Sequence, residues 1–267
     1  MVEAGWQRER DIASQAAREA GALLLDRLGA AGQVEFKSSV VDPVTAADRD
    51  SQALIADRLL TAFPDDLLLG EEDDARDTAA DDARLWIVDP LDGTVNFVHG
   101  YPVFAVSIAL VADGAVRVGV LYDPNRDEMF AATQGGGATL NGRPIAVSDT
   151  PTLIAAMVAT GFPYDLEERR AVLPLFDTLV QRTQAVRRDG SAALNLAYVA
   201  CGRFDAYWER NVQPWDIAAA ELFLEEAGGR LTGYDGDAFS LWAGEVVASN
   251  GCIHDALLAV IASVAAE

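Results

Sequence analysis

The pattern of strands and helices changes near residue 148, and this change constrains the fold more than any other feature. Residues 103–147 contain three strand-like runs, FAVSIALV, AVRVGVLY and EMFAAT, separated by turn residues, which predicts an antiparallel meander. After residue 150, strand-like and helix-like segments alternate, as in an α/β protein. We therefore predict an α/β protein with an α+β lobe over residues 1–148 and an α/β lobe over residues 149–267. The cleft between the lobes is the expected ligand site.

Two helices are predicted before the meander. Residues 5–29 carry apolar side chains at helical spacing, and Thr45 is placed to open a second helix that extends to Ala62. Residues 73–84 are acidic and polar without an apolar period, so we predict a mobile surface loop there. The later predicted helices are 166–182, 191–201, 215–227 and a C-terminal helix, and the later predicted strands are LIAAMVATG, TQAVRR, FDAYW and VVASN.

Charge and composition exclude several classes of function. The 42 acidic and 20 basic residues give a net charge of −22, which argues against a general nucleic-acid-binding surface. The sequence contains no run of about 18 apolar residues, so a membrane span is not expected. Two cysteines, Cys201 and Cys252, fit a reducing compartment better than a disulfide framework. We expect a cytoplasmic protein that binds neither nucleic acid nor membrane.

The stretch WIVDPLDGTVNF, residues 86–97, concentrates polar groups at the end of an apolar run. Asp89 is expected at the end of a strand, and Asp92, Gly93 and Thr94 resemble the first turn of a helix, whose N–H groups suit a phosphate oxygen. Two carboxylates beside a phosphate repel it by about 1 kcal/mol per close pair even in water, unless a cation neutralises them. The simpler alternatives are that Asp92 caps the helix and that Asp89-Pro90 forms a turn.

Three further acids stand in positions that suggest either structure or chemistry. Asp48 lies three residues after Thr45, as in a capping box, and Asp216 opens the predicted helix after QPW. Glu71 follows the short apolar strand LLLG, although an exposed acid is the simpler reading of that residue alone.

Taken together, these carboxylates favour a metal site built from oxygen ligands. The chain has only two histidines and two separated cysteines, so a zinc site is poorly supplied. Carboxylates with a backbone carbonyl and waters suit Mg²⁺. A calcium loop of D-x-D-x-D-G spacing is absent from the sequence, so a single acidic loop does not explain the pattern.

At these residues the chain resembles the inositol monophosphatase family, within the lithium-sensitive, magnesium-dependent phosphatases. The resemblance covers nearly the whole chain. It is carried by GEE at 70–72, WIVDPLDGTVNF at 86–97 and PWDIAAAELFLEEAGG at 214–229. It implies a layered α/β/α/β/α sandwich of the sugar-phosphatase type, assembled as a homodimer.

The resemblance also implies a site that holds two to three Mg²⁺ ions. Glu71, Asp89 and the carbonyl of Leu91 would hold the first ion. Asp89, Asp92 and Asp216 would hold the second. A third, weaker ion would lie near Glu71.

The remaining implied roles concern catalysis and substrate. Asp48 would lie in the water shell of the third ion, and Lys37 matches a family lysine near the metal loop. Glu71 and Thr94 would orient a metal-activated water that attacks the phosphorus directly. The implied contacts to phosphate and polyol are Asp92, Gly93, Thr94, Gly190, Ser191, Ala192, Glu209 and Asp216.

Glu209, in FDAYWERNVQPWD, stands where inositol phosphatases of the family place an acid to accept hydrogen bonds from sugar hydroxyls. The segment WERNVQPWD and the compact length resemble that branch most, so the resemblance favours myo-inositol-1-phosphate as the substrate. A surface acid at a strand end is the simpler alternative for Glu209. Histidinol phosphate, fructose 1,6-bisphosphate, NADP and adenosine 3′,5′-bisphosphate stay open as substrates, since related enzymes share the metal motifs. A regulatory role through protein contacts also stays open.

Overall fold

The computed structural model describes residues 5–29, 35–36, 43–73 and 83–265. Lys37 and most of the loop predicted over residues 73–84 lie outside this part of the chain. The helices are α1 Gln7–Arg27, α2 Ala46–Ala62, α3 Thr94–Val98, α4 Leu166–Arg182, α5 Ala192–Ala200, α6 Pro214–Glu226 and α7 His254–Ala265. No described helix is long and apolar enough to cross a membrane.

The strands form two large sheets and one short pair. The pair joins β1 Glu35–Phe36 to β2 Pro43–Val44. The first sheet has the order β3-β4-β5-β6-β7-β8-β9, and only its β3–β4 pair is parallel. Its strands are β3 Leu67–Gly70, β4 Leu85–Asp92, β5 Ala105–Ala112, β6 Ala115–Asp123, β7 Glu128–Thr133, β8 Gly137–Leu140 and β9 Arg143–Pro144. The predicted antiparallel meander is confirmed.

The second sheet is mixed, with the order β11-β10-β12-β14-β13. Strand β10 pairs parallel with both of its neighbours, whereas β14 pairs antiparallel with β12 and β13. The strands are β10 Met157–Thr160, β11 Ala185–Arg187, β12 Ala206–Arg210, β13 Arg230–Thr232 and β14 Glu245–Ser249.

The layers follow from which apolar faces meet. Helices α1 and α2 cover one face of the first sheet, and the buried alanines of α1 let that helix approach the strands closely. Helices α5 and α6 lie between the two sheets and bury side chains against both. Helices α4 and α7 cover the outer face of the second sheet. The result is the expected α/β/α/β/α sandwich.

One predicted strand is shorter than expected. The segment LIAAMVATG was predicted as a single strand, but Leu153–Ala155 form a 3₁₀ turn and only Met157–Thr160 pair in the sheet. The turn exposes Ile154, whereas Val158 and Ala159 are fully buried. Apolar composition alone does not separate a strand from an apolar turn that leads into it.

Candidate active site

A cavity of about 510 Å³ opens where residues from the two sheets and from α5 and α6 converge. Both halves of the chain line it, with Glu71, Asp89 and Asp92 from the first half and Glu209 and Asp216 from the second. Acids separated by up to 145 positions in the sequence therefore face one space. The predicted acids are candidates for a shared site because the fold, and not a local loop, brings them together.

Strand β4 carries two of these acids through an irregular turn of its backbone. The prediction that Asp89 ends the strand is wrong, because β4 runs to Asp92 with a register shift against β5 between the two residues. Side chains three positions apart in a regular strand point to opposite faces, and a bulge changes this alternation. Here both acids line the cavity. The hydroxyl of Ser51 holds the corner by donating to the carbonyl of Pro90 at 2.9 Å.

Asp89, Asp92 and Asp216 form a candidate metal centre. Each offers one carboxylate oxygen, and these oxygens all lie within 4.8 Å of one another. Burial raises the pKa of Asp89 and of Asp216 well above the usual range, and the neighbouring carboxylates raise both further. Burial also raises the pKa of Asp92 to about 6, against the opposing effect of its hydrogen bonds. Buried carboxylates this close repel one another unless a cation lies among them, and an all-oxygen set fits a hard divalent ion.

Asp92 caps a helix, but not the helix that the sequence suggested. Its carboxylate accepts hydrogen bonds from the hydroxyl of Ser191, from the amide of Ala193 at 2.9 Å and from the amide of Ala192 at 3.2 Å. These donors lie at the N-terminus of α5, about 100 positions away, while the residue before α3 is Gly93 in a left-handed conformation. The polar groups of Ser191 and Ala192 therefore contact Asp92, one of the acids expected beside the substrate.

Asp48 belongs to the capping box of α2 and also contacts Thr94, which lines the cavity. One of its carboxylate oxygens accepts from the amide of Thr45 at 2.8 Å, as the capping prediction required. The other oxygen accepts from the hydroxyl of Thr94 at 3.1 Å. The Thr94 hydroxyl also lies 3.1 Å from the carbonyl oxygen of Leu91. The structural and functional readings of Asp48 are thus compatible, since each uses a different oxygen.

The turn that carries Glu71 is stabilised by hydrogen bonds to Gln52 of α2. Asp73 accepts from the amide of Gly70 at 2.7 Å and from the side-chain amide of Gln52 at 2.8 Å. The side-chain oxygen of Gln52 accepts from the amide of Glu72 at 3.0 Å. Glu71 lies outside the three-residue acidic cluster but lines the same cavity, and its charge raises the pKa of Asp89. The sequence reasoning missed Gln52, whose role depends on contacts that span about 20 positions.

Gly93 lies at a close contact between the backbones of the two halves. Its φ is +100°, and a Cβ there would lie 2.9 Å from the carbonyl oxygen of Val103 and 3.2 Å from that of Gly190. The side chain of Asn96 donates to the carbonyl of Val103 and to that of Asp189, both at 2.7 Å. Gly93 is therefore required by its conformation and by the close contact, and Asn96 fixes the backbone beside Gly190.

The far wall of the cavity contains Glu209 and three residues that the sequence reasoning did not assign to the site. Burial raises the pKa of Glu209 to about 8, although the charge of Arg188 opposes the rise. The hydroxyl of Tyr207 donates to the Glu209 carboxylate. Asn195 also lines the cavity, and its side-chain oxygen accepts no hydrogen bond from any described residue. The two-residue spacing of Tyr207 and Glu209 on one strand was the available signal.

Comparison with known proteins identifies the family. The model of the inositol monophosphatase family matches residues 6–266. The chain belongs to this family. Members are metal-dependent phosphatases that act on phosphorylated substrates, and the buried acidic cluster of this chain agrees with that chemistry.

Similar proteins carry different names. An inositol-1-monophosphatase from Synechocystis is 43% identical over 95% of this chain and 88% of its own length. A Pseudomonas aeruginosa protein named Nus factor SuhB is 41% identical over 94% of both chains. A fructose-1,6-bisphosphatase/inositol-1-monophosphatase from Thermotoga maritima is 37% identical over 96% of this chain and 97% of its own length.

Solved structures agree with the fold. The inositol monophosphatase from Anabaena superposes with a TM-score of 0.85 at 44% identity, and the match covers 96% of both chains. Staphylococcal inositol monophosphatase-1, solved as an inhibitory complex soaked in LiCl, has a TM-score of 0.84 at 26% identity over 95% of this chain and 94% of its own. The layered sandwich of the family is therefore the fold of this chain.

Proposed function

We propose that this protein is a Mg²⁺-dependent phosphomonoesterase that hydrolyses myo-inositol-1-phosphate. The observation that carries the proposal is the cluster of Asp89, Asp92 and Asp216 in one cavity beside the Gly93-Thr94 turn. The cluster supplies a site for cations, and the turn supplies N–H groups without partners inside their own helix.

The metal would be held by Glu71, Asp89, the carbonyl of Leu91, Asp92 and Asp216. Two to three ions fit this number of carboxylates, with Asp48 near the weakest site. When bound, such ions neutralise the carboxylates, stabilise charge on phosphoryl oxygens and lower the pKa of water.

The protein groups then bind the phosphate and orient the water. The amides of Gly93 and Thr94 donate to phosphoryl oxygens. Because the Thr94 hydroxyl donates to Asp48, its oxygen is free to accept a hydrogen bond from the attacking water. Glu71 accepts the proton that this water loses as its oxygen bonds to phosphorus. The bond from phosphorus to the alcohol oxygen breaks, and that oxygen takes up a proton from a solvent water, while Glu71 returns its proton to the solvent.

The alcohol part of the substrate would contact Asp92, Gly190, Ser191, Ala192, Glu209 and Asp216. Acceptors predominate among these groups, and a polyol presents several hydroxyl donors. The name of the Synechocystis relative supports myo-inositol-1-phosphate. The name of the Thermotoga relative supports fructose 1,6-bisphosphate as an additional substrate.

The decisive experiment is phosphate release from a substrate panel at several Mg²⁺ concentrations, with Li⁺ in parallel samples. The panel contains inositol-1-phosphate, histidinol phosphate, fructose 1,6-bisphosphate, NADP and adenosine 3′,5′-bisphosphate. We expect Mg²⁺-dependent release that is fastest with inositol-1-phosphate and is inhibited by Li⁺. Faster release from another member would retain the chemistry and reject the substrate.

A second candidate function is regulation through protein contacts, which the name Nus factor SuhB of the Pseudomonas relative supports. Absence of phosphate release from the whole panel would favour this candidate. We further expect a cytoplasmic location and a homodimeric state, and sedimentation of the purified protein would test the homodimer.

A further inference from the structure

We propose that Tyr207 is a positioning residue that holds Glu209 in the far wall of the cavity, where its carboxylate accepts hydrogen bonds from substrate hydroxyls. The inference deepens the proposed function and rests on it. It concerns recognition of the alcohol part of the substrate, and it separates this recognition from the metal centre.

The first observation is the direction of the side chains on β12. Tyr207 and Glu209 are two positions apart and share one face of the strand, whereas Trp208 points to the opposite face and packs in the outer core. The Tyr207 ring is fully buried in the core beneath α5 and α6, and both Tyr207 and Glu209 line the cavity. The Tyr207 ring therefore extends from the core to the cavity, where its hydroxyl donates a hydrogen bond to the Glu209 carboxylate.

The second observation concerns the space beside the carboxylate. Gly161 follows β10, and Thr160 at the end of that strand is in register with Trp208 of β12. A Cβ at Gly161 would overlap both oxygens of Glu209. The carboxylate thus occupies the space that a side chain at residue 161 would fill, so Gly161 and Tyr207 confine it from two sides.

The third observation is the hydrogen-bond inventory of the carboxylate. Among the described residues, Tyr207 is the one hydrogen-bond donor to Glu209. A carboxylate has about four acceptor positions, so several are left for hydroxyl donors of a polyol. Arg188, which lines the same cavity, is the cation whose charge acts most strongly on Glu209. Without the phenol hydroxyl, attraction to Arg188 would compete for the position of the carboxylate.

The test compares Tyr207→Phe with a matched control on two substrates in the presence of Mg²⁺. Tyr198→Phe is the control, because the Tyr198 hydroxyl is also buried yet has no hydrogen-bond partner among the described residues and does not line the cavity. One substrate is inositol-1-phosphate. The other is p-nitrophenyl phosphate, whose leaving group has no hydroxyl for Glu209 to contact.

We expect Tyr207→Phe to raise KM for inositol-1-phosphate up to about tenfold, with a smaller change in kcat, which is within the range for losing one hydrogen bond. Its kinetics with p-nitrophenyl phosphate should match the wild type, and Tyr198→Phe should be normal on both. Gly161→Ala, which displaces the carboxylate without touching the phenol, should give the same selective rise in KM.

Two results would overturn the inference while the proposed function stands. One is wild-type kinetics of Tyr207→Phe on inositol-1-phosphate, and the other is an equal loss on both substrates. A thermal unfolding scan of each variant shows whether a loss of activity comes from misfolding. If Tyr207→Phe is misfolded, the kinetics of Gly161→Ala on the two substrates decide whether the inference holds. Failure of the wild type itself to hydrolyse inositol-1-phosphate would instead reject the proposed function.

Discussion

Asp92 illustrates how one residue can serve the fold and the site together. Its carboxylate accepts from three donors at the start of α5 and also lies within the acidic cluster. Asp89 contributes less to the fold, because the hydrogen bond that it accepts is a local one from the amide of Leu91 at 2.9 Å. We therefore expect the two acids to contribute alike to the proposed metal site and differently to the stability of the fold.

Replacing either acid by asparagine tests this distinction. We expect Asp89→Asn and Asp92→Asn each to lower phosphate release by about a thousandfold or more, because each removes a ligand from the proposed metal site. Without Mg²⁺, Asp92→Asn should also unfold at a lower temperature, since an amide nitrogen cannot accept from the donors of α5, at a cost of about 1 kcal/mol. Asp89→Asn should not lower the unfolding temperature, because it removes electrostatic repulsion from a buried cluster of carboxylates.

The control for these variants is Asp65→Asn, an exposed acid that does not line the cavity. Phosphate release at saturating Mg²⁺ and thermal unfolding in a chelator give the two readouts. Near-normal turnover in Asp89→Asn or Asp92→Asn would reject the metal assignment. Equal loss of stability in both would reject the separate role of Asp92.

At the level of elements, hydrogen bonds of the His254 ring connect the start of α7 to two strands at the edge of the second sheet. Its ring is fully buried, with Nδ1 2.8 Å from the hydroxyl of Ser249 on β14 and Nε2 3.0 Å from the hydroxyl of Thr232 on β13. Burial lowers the pKa of His254 to about 4. The neutral imidazole is therefore the form that the packed elements accept.

This geometry predicts a stability change with pH. The unfolded chain binds a proton at His254 below a pKa of about 6.5, whereas the folded chain does not until about 4. Stability should fall as pH falls through this window, because the unfolded state binds more protons there. His254→Asn should flatten the decline in unfolding temperature between pH 6.5 and 4.

The exposed histidine, His99, supplies the control, and His99→Asn should keep the wild-type profile. The buried acids contribute an opposite slope in the same window, so the difference between variant and wild type is the informative quantity. A wild-type decline in His254→Asn would contradict the prediction.

Local signals explain which elements the sequence predicts well. Thr45 and Asp48 form their capping box within one turn of α2, and Asp216 accepts from the amide of Gln213 at 2.7 Å at the start of α6. Such contacts span three positions and are visible in the sequence. The capping of α5 by Asp92 spans about 100 positions, and the bulge of β4 depends on pairing with β5, so neither has a local signature.

At the scale of the molecule, the two halves share their interior. The core around α5 and α6 contains Leu121 and Phe130 from the first sheet together with Tyr207 and Val246 from the second. Polar contacts at the cavity join the same halves, through Asp92 to α5 and through Asn96 to the carbonyl of Asp189. The cavity therefore exists only where both halves are packed together.

The predicted division into residues 1–148 and 149–267 should consequently not behave as two independently folding domains. Separation would expose the faces that α5 and α6 bury, and each apolar side chain left exposed costs about 1.5–3 kcal/mol. We expect one cooperative thermal transition with coincident near-ultraviolet and far-ultraviolet circular dichroism. Fragments cut at residue 148 should fail to fold alone. Two resolved transitions, or a fragment with native-like dichroism, would contradict this expectation. Either result would mean that each sheet is stable with its outer helices alone. The layer of α5 and α6 would then form the cavity without being needed for folding.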